Sequence, residues 1–164
     1  MFSLASVVQD VYQITDILNE VELTSLSNIA ETVVSQQYDD IHKITQAVKS
    51  KEISELFASI LKALLKNEEP SYRNLAIAMY MEGILQFLNM KANQFSKGPK
   101  ALPEMLPMAL RHKIFATFTD DQRISPESKD RAVCYILVLA LTCSKFVLDF
   151  STVSTSIKAT KVPQ

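Results

Sequence analysis

Residues 125–150 read SPESKDRAVCYILVLALTCSKFVLDF, and this stretch decides the fold. Ser125 followed by Pro126 is a helix start. The serine oxygen can accept a backbone N–H that has no intrahelical partner, and proline suits the first helical position because its missing N–H is not needed there. A charged turn with Lys129, Asp130 and Arg131 then gives way to Ala132–Cys143, twelve almost wholly apolar residues. A bilayer span needs roughly 20. Flanked by Lys129, Asp130, Arg131 and Lys145, the run reads as a core helix, and a helix apolar all round must be wrapped by other protein. Phe146-Val147-Leu148-Asp149-Phe150 alternates as a short strand, and Ser151-Thr152 caps a last short helix to about Ala159.

Upstream, helical patterns recur. The first 15 residues are weakly patterned, a tail or a docking segment. Asn19 with Glu22 three positions on has the form of a capping box, and Val21, Leu23, Leu26, Ile29, Ala30 and Val33 follow at helical spacing. Tyr38 to Val48 carries Ile41, Ile44, Ala47 and Val48 on one face. Ile53 to Leu65 is a clean apolar stripe that stops before Pro70. The next helix opens at Pro70-Ser71 and runs to about Met90. It is apolar nearly all round, so it is expected to be central, and Gly83 in its middle implies a close helix crossing. Asn93–Pro103 is the main loop. A helix from about Glu104 to Phe118 follows, with Pro107 in its first turn. Thr119–Arg123 is a turn signal between β-prone ends, a very short hairpin.

This order ends in a buried helix that hands over to a short strand, with another helix start close behind. Small helix-turn-helix and winged-helix domains join end to end in this way. The expected fold is mostly α. A winged-helix-like helical domain with a minimal β-hairpin occupies 19–145. It is preceded by a tail or linker at 1–18 and followed by the start of a second winged-helix module at 146–164.

The composition agrees. A chain of 164 residues suits one ordinary domain, or a small one with appendages. With 48% hydrophobic and 21% charged residues it is far from a disordered sequence. Only two glycines, Gly83 and Gly98, argue against phosphate-cradling loops and a turn-rich β fold. Cys134 and Cys143 lie ~13 Å apart along one helix, too far to bridge, and read as small core hydrophobes in a reducing compartment. MFSLASVVQDVYQ has no basic region and no sustained apolar core, so no secretory signal is expected. Net charge is −1 but uneven: residues 1–90 hold 6 Lys+Arg against 12 Asp+Glu, whereas 91–113 hold five bases against Glu104 alone. Any polyanion contact is therefore expected in the second half.

No catalytic constellation stands out. His42 and His112 have no Cys or carboxylate at metal-ligand spacing. Asp39, Asp40 and His42 are the obvious candidates for an unrecognised enzyme, but adjacent carboxylates diverge on a helix, so a solvated helix start fits better. The expectation is no enzyme, no metal and no cofactor. Binding remains. In a winged-helix module one helix presents side chains to a DNA groove and the wing touches the backbone. Here the presenting helix is 104–118, with Arg111, His112 and Lys113 as its exposed band. Lys97 and Lys100 lie on the loop before it, Arg123 on the wing and Lys129 near the next helix start. Contacts from these seven would be mainly to phosphates, weak and salt-sensitive. The competing reading is a helical protein–protein interaction module without nucleic-acid binding, docking through the acidic half or the Met/Leu surface of the helix after Pro70.

Four collinear segments carry a resemblance. These are VYQITDILNEVELTSL at 11–26, RNLAIAMYMEGILQFL at 73–88, MALRHKIFATFT at 108–119 and SKDRAVCYILVLALTCSKFVLDFSTV at 128–153. Together they resemble the C-terminal half of the forty-nine-kilodalton RNA polymerase I subunit, or polymerase-associated factor, family. The resemblance implies a linker end, a first winged helix and the opening of a second, without the family's N-terminal dimerisation barrel. The chain is then expected to be a fragment or a truncated paralogue. It also implies a non-catalytic role in ribosomal RNA synthesis, in the nucleus and nucleolus. The implied partners are RNA polymerase I subunits and DNA, with no membrane and no small-molecule substrate.

Overall fold

The computed structural model describes residues 13–144. They form α1 (Ile14–Ile17), α2 (Glu20–Gln37), α3 (Ile41–Lys49), α4 (Glu55–Leu65), α5 (Tyr72–Leu88), α6 (Ala92–Phe95), a 3-10 turn (Gly98–Ala101), α7 (Met108–Phe118) and α8 (Pro126–Ser144). The described residues are mostly helical and hold no sheet, in keeping with a winged-helix-like helical domain. The expected strand at 146–150, the cap at Ser151 and the helix beyond it lie outside the described residues.

Local chemistry sets the helix starts. Asn19 Oδ1 accepts from the Glu22 N–H at 2.8 Å while Glu22 Oε1 accepts from the Asn19 N–H at 3.0 Å, a complete capping box for α2. Asp40 caps α3 through the His42 N–H. The hydroxyls of Ser54, Ser71 and Ser125 cap α4, α5 and α8 by accepting from the N–H groups of Phe57, Asn74 and Ser128. Each such cap contributes about 1 kcal/mol.

α5 is the centre of the molecule. Every residue from Asn74 to Leu85 is buried. α2 and α8 pack along it, with α4 and α7 against further sides. At Gly83 an added Cβ would stand 2.4 Å from Leu106 Cδ1 and 3.0 Å from Ile114 Cδ1. The missing side chain is what lets α7 and the loop before it close on α5. Beside it sits Glu82, fully buried. Its carboxylate accepts from the Ser54 hydroxyl at 2.6 Å, the Ser54 N–H at 2.8 Å and the Gln86 amide at 2.9 Å, so the cap residue of α4 is itself clamped to α5.

α8 buries Ala132, Ile136, Val138, Leu139, Ala140 and Cys143. The wrapping is not uniform, since Val133, Cys134, Leu137 and Leu141 are only half-buried. Burial pushes the Cys143 thiol up to about 12, which keeps it a protonated packing group. Aromatic rings join the layers: Phe87 of α5 meets Phe115 of α7 at 5.0 Å, and Phe118 of α7 meets Tyr135 of α8 at 5.4 Å.

Two local expectations are corrected, at 93–103 and at the start of α7, and a third, the tail or docking segment, is seen in part. Within the expected tail at 1–18, Ile14–Ile17 is a helical turn, and it docks Ile17 and Leu18 into the core against α8. The expected loop at 93–103 is largely turned structure. Phe95 of α6 stacks on Phe115 at 5.5 Å, and the 3-10 turn packs on α7. The helix expected from Glu104 begins only at Met108, with Pro107 as its N-cap. Proline disfavours helical backbone at the residue before it, so Leu106 cannot lead directly into the helix.

The hairpin between α7 and α8 is reduced to one bridge. Asp120 and Arg123 exchange backbone hydrogen bonds of 2.8 and 2.9 Å. Asp121 and Gln122 both take positive φ, 49° and 62°. Two left-handed central residues are the signature of the tight turn that matches strand twist. Thr117 and Phe118 complete α7, which ends at Phe118 as the helical pattern predicts.

Candidate nucleic-acid interface

α7 buries Leu110, Ile114 and Phe118 and exposes Met108, Ala109, His112 and Ala116. Consecutive helical residues turn by 100°, so Arg111, His112 and Lys113 cannot share one face. His112 alone points outward. Arg111 is half-buried on one flank, where its Nε donates to the Leu106 carbonyl at 2.7 Å and its Nη2 to the Glu104 carbonyl at 3.1 Å. It holds the loop that closes over Gly83. Lys113 is half-buried on the other flank, where its Nζ donates to Glu22 Oε1 at 2.6 Å. The exposed band expected from sequence is therefore one histidine between two cations already engaged.

The remaining expected residues are exposed. Lys97 precedes the 3-10 turn and Lys100 lies within it, and that turn packs on α7. Arg123 closes the bridge turn, and Lys129 lies near the start of α8. From Gly83 to Pro103 there is no acidic residue, so nothing nearby in sequence offsets Lys91, Lys97 and Lys100.

Two contributors were not found from sequence. Glu22 reads as a capping residue, and its second partner, Lys113, is 91 positions away. Burial pushes the Glu22 carboxyl up. The hydrogen bond from Lys113, that from the Asn19 N–H and the Lys113 charge outweigh burial and hold it below the usual range. Arg131 of α8 is the other. Its Nη2 donates to the Thr117 carbonyl and its guanidinium lies 5.7 Å from the Phe118 ring centre, fixing the end of α7 from which the bridge turn departs. The residues weighed as an enzyme site have structural partners: Asp39 pairs with Lys43 at 2.6 Å, and Asp40 caps α3. Among the described residues no group of His, Cys, Asp and Glu side chains is placed to hold a metal ion, and no helix is long and apolar enough to cross a membrane.

Against known families, a model described as A49-like RNA polymerase I associated factor matches residues 4–162. The chain belongs to this family. The match runs through all four segments that carry the sequence resemblance, and through α1 to α8. Comparison with curated proteins and with solved structures gives no significant match. Family membership ties the chain to RNA polymerase I transcription. The helix α7, with the turns on either side of it, is the candidate contact region of this A49-like chain.

Proposed function

We propose that the chain is a non-catalytic, nucleolar RNA polymerase I factor. It supports ribosomal RNA gene transcription by contacting polymerase I subunits and, weakly, DNA phosphates. The observation that carries the reading is the family match across residues 4–162. The exposed cations Lys97, Lys100, Arg123 and Lys129, with His112, supply the phosphate contacts; Arg111 shapes the loop beside them. Three of the four exposed cations are lysines, point charges rather than planar forks, so the contact is electrostatic and without strong sequence preference.

Affinity purification of the tagged chain from nuclear extract tests the polymerase half: polymerase I subunits are expected to co-purify after nuclease treatment, and their absence would refute it. Binding of a short mixed-sequence DNA duplex tests the other half. It is expected at low salt, and it should weaken with Lys97→Glu plus Lys100→Glu. Binding indifferent to both salt and these substitutions would contradict the phosphate contact.

A second reading, a helical protein-interaction module with no nucleic-acid role, loses the Met/Leu surface of α5, where Leu75, Met79, Met81 and Leu85 are buried, and draws instead on the exposed face of α7. Met108, Ala109 and Ala116 there are apolar or small, and two flanking cations are occupied. Polymerase capture that survives nuclease but is lost with Ala109→Glu, together with no DNA binding at low salt, would favour it.

A further inference from the structure

Lys113 is the cation in the middle of α7, yet its ammonium is turned to Glu22 of α2 at 2.6 Å. Both side chains are largely shielded, with 32% of Lys113 and 23% of Glu22 exposed. Glu22 is itself fixed, because the same Oε1 accepts the Asn19 N–H. Shielding weakens salt screening of such a pair. To an ammonium, a carboxylate oxygen and a phosphate oxygen offer the same short, charge-assisted hydrogen bond. Glu22 takes one of the three N–H donors of the ammonium and turns the side chain towards α2, so a phosphate arriving at α7 has to compete with Glu22 for Lys113.

Building on the nucleic-acid reading above, we infer that Glu22 is an internal competitor for nucleic-acid phosphate, which draws Lys113 away from the α7 interface until the Glu22 side chain swings off it. The contact is autoinhibitory. It joins the acidic first half of the chain to the basic second half at a defined pair of atoms. Release needs only a swing of the Glu22 side chain, because Leu18 and Leu23 on either side of it are buried in the core and hold the backbone of the first turn in place.

The test is a double-mutant cycle read by DNA affinity against salt. Glu22→Gln is the informative variant because glutamine also satisfies a capping box, so the start of α2 is preserved. Glu31→Gln, an exposed position on the same helix, measures the generic effect of removing one negative charge. With a short mixed-sequence duplex, Glu22→Gln is expected to bind about threefold more tightly than the unmodified chain at low salt. The slope of log affinity against log salt should steepen by about 0.9, the signature of one added phosphate contact. In a Lys113→Gln background the same substitution should gain no more than Glu31→Gln does. If Glu22→Gln and Glu31→Gln gain equally, or the gain persists without Lys113, the inference is wrong while the nucleic-acid reading stands. If no version binds DNA at low salt, both fall.

Discussion

Single residues in α5 carry more than their type suggests. Burial raises the Glu82 carboxyl above its usual 4.5, against the opposing hydrogen bonds from Ser54 and Gln86. For a folded-state value above the unfolded one, the stabilising contribution is complete below 4.5 and is lost as pH rises through the folded value. Urea midpoints of the unmodified chain and Glu82→Gln, compared across pH, should show the unmodified chain losing ground as pH climbs from 4.5 towards neutrality. A constant difference would contradict this assignment. Glu22, held below its usual range, acts with the opposite sign: its contribution is present above the unfolded value and fades in acid. Gly83, next to Glu82 in sequence, is a packing requirement. Helix propensity alone would make Gly83→Ala stabilising by about 1 kcal/mol. The approach of Leu106 and Ile114 should reverse that, costing about 1–3 kcal/mol from overpacking. A net rise in the unfolding midpoint would show that the pocket can give.

At the scale of elements, starts were legible and orientations were not. Asn19, Ser71 and Ser125-Pro126 announce helices because a cap acts within three residues of itself. Where α7 begins was misread because Pro107 can either open a first turn or cap it, and the residue before it decides. Which way Arg111 and Lys113 turn depends on carbonyls of a folded loop and on a carboxylate on α2, neither visible in a local pattern. This bears on experiment. Arg111→Ala should lower stability by about 1–2 kcal/mol by releasing the Leu106 and Glu104 carbonyls, so lost binding in that variant would be ambiguous. Lys97, Lys100, Arg123 and Lys129 are exposed and should alter DNA affinity with little change in thermal midpoint. Ser125→Ala, which removes the cap of α8, should cost about 1 kcal/mol in chemical denaturation.

For the whole molecule, the charge asymmetry of the sequence is partly cancelled by folding. The stretch 91–113 is basic in sequence, but its Arg111 and Lys113 are consumed internally, leaving four exposed cations among the seven candidate residues. With about 0.9 of a counterion released per phosphate contact, the salt slope for duplex DNA should not be steeper than about −4. A steeper slope would mean that further cations reach the DNA. The central place of α5 also has a consequence in time. α2 precedes it on the ribosome, but α8, which covers another of its flanks, starts at Pro126, long after α5 ends at Leu88. Chain elongation at about 5–20 residues per second leaves that apolar flank bare for seconds, far longer than collapse of a small chain takes. The nascent protein must therefore spend part of its synthesis with its central helix half-clothed, a natural point for a chaperone to hold it.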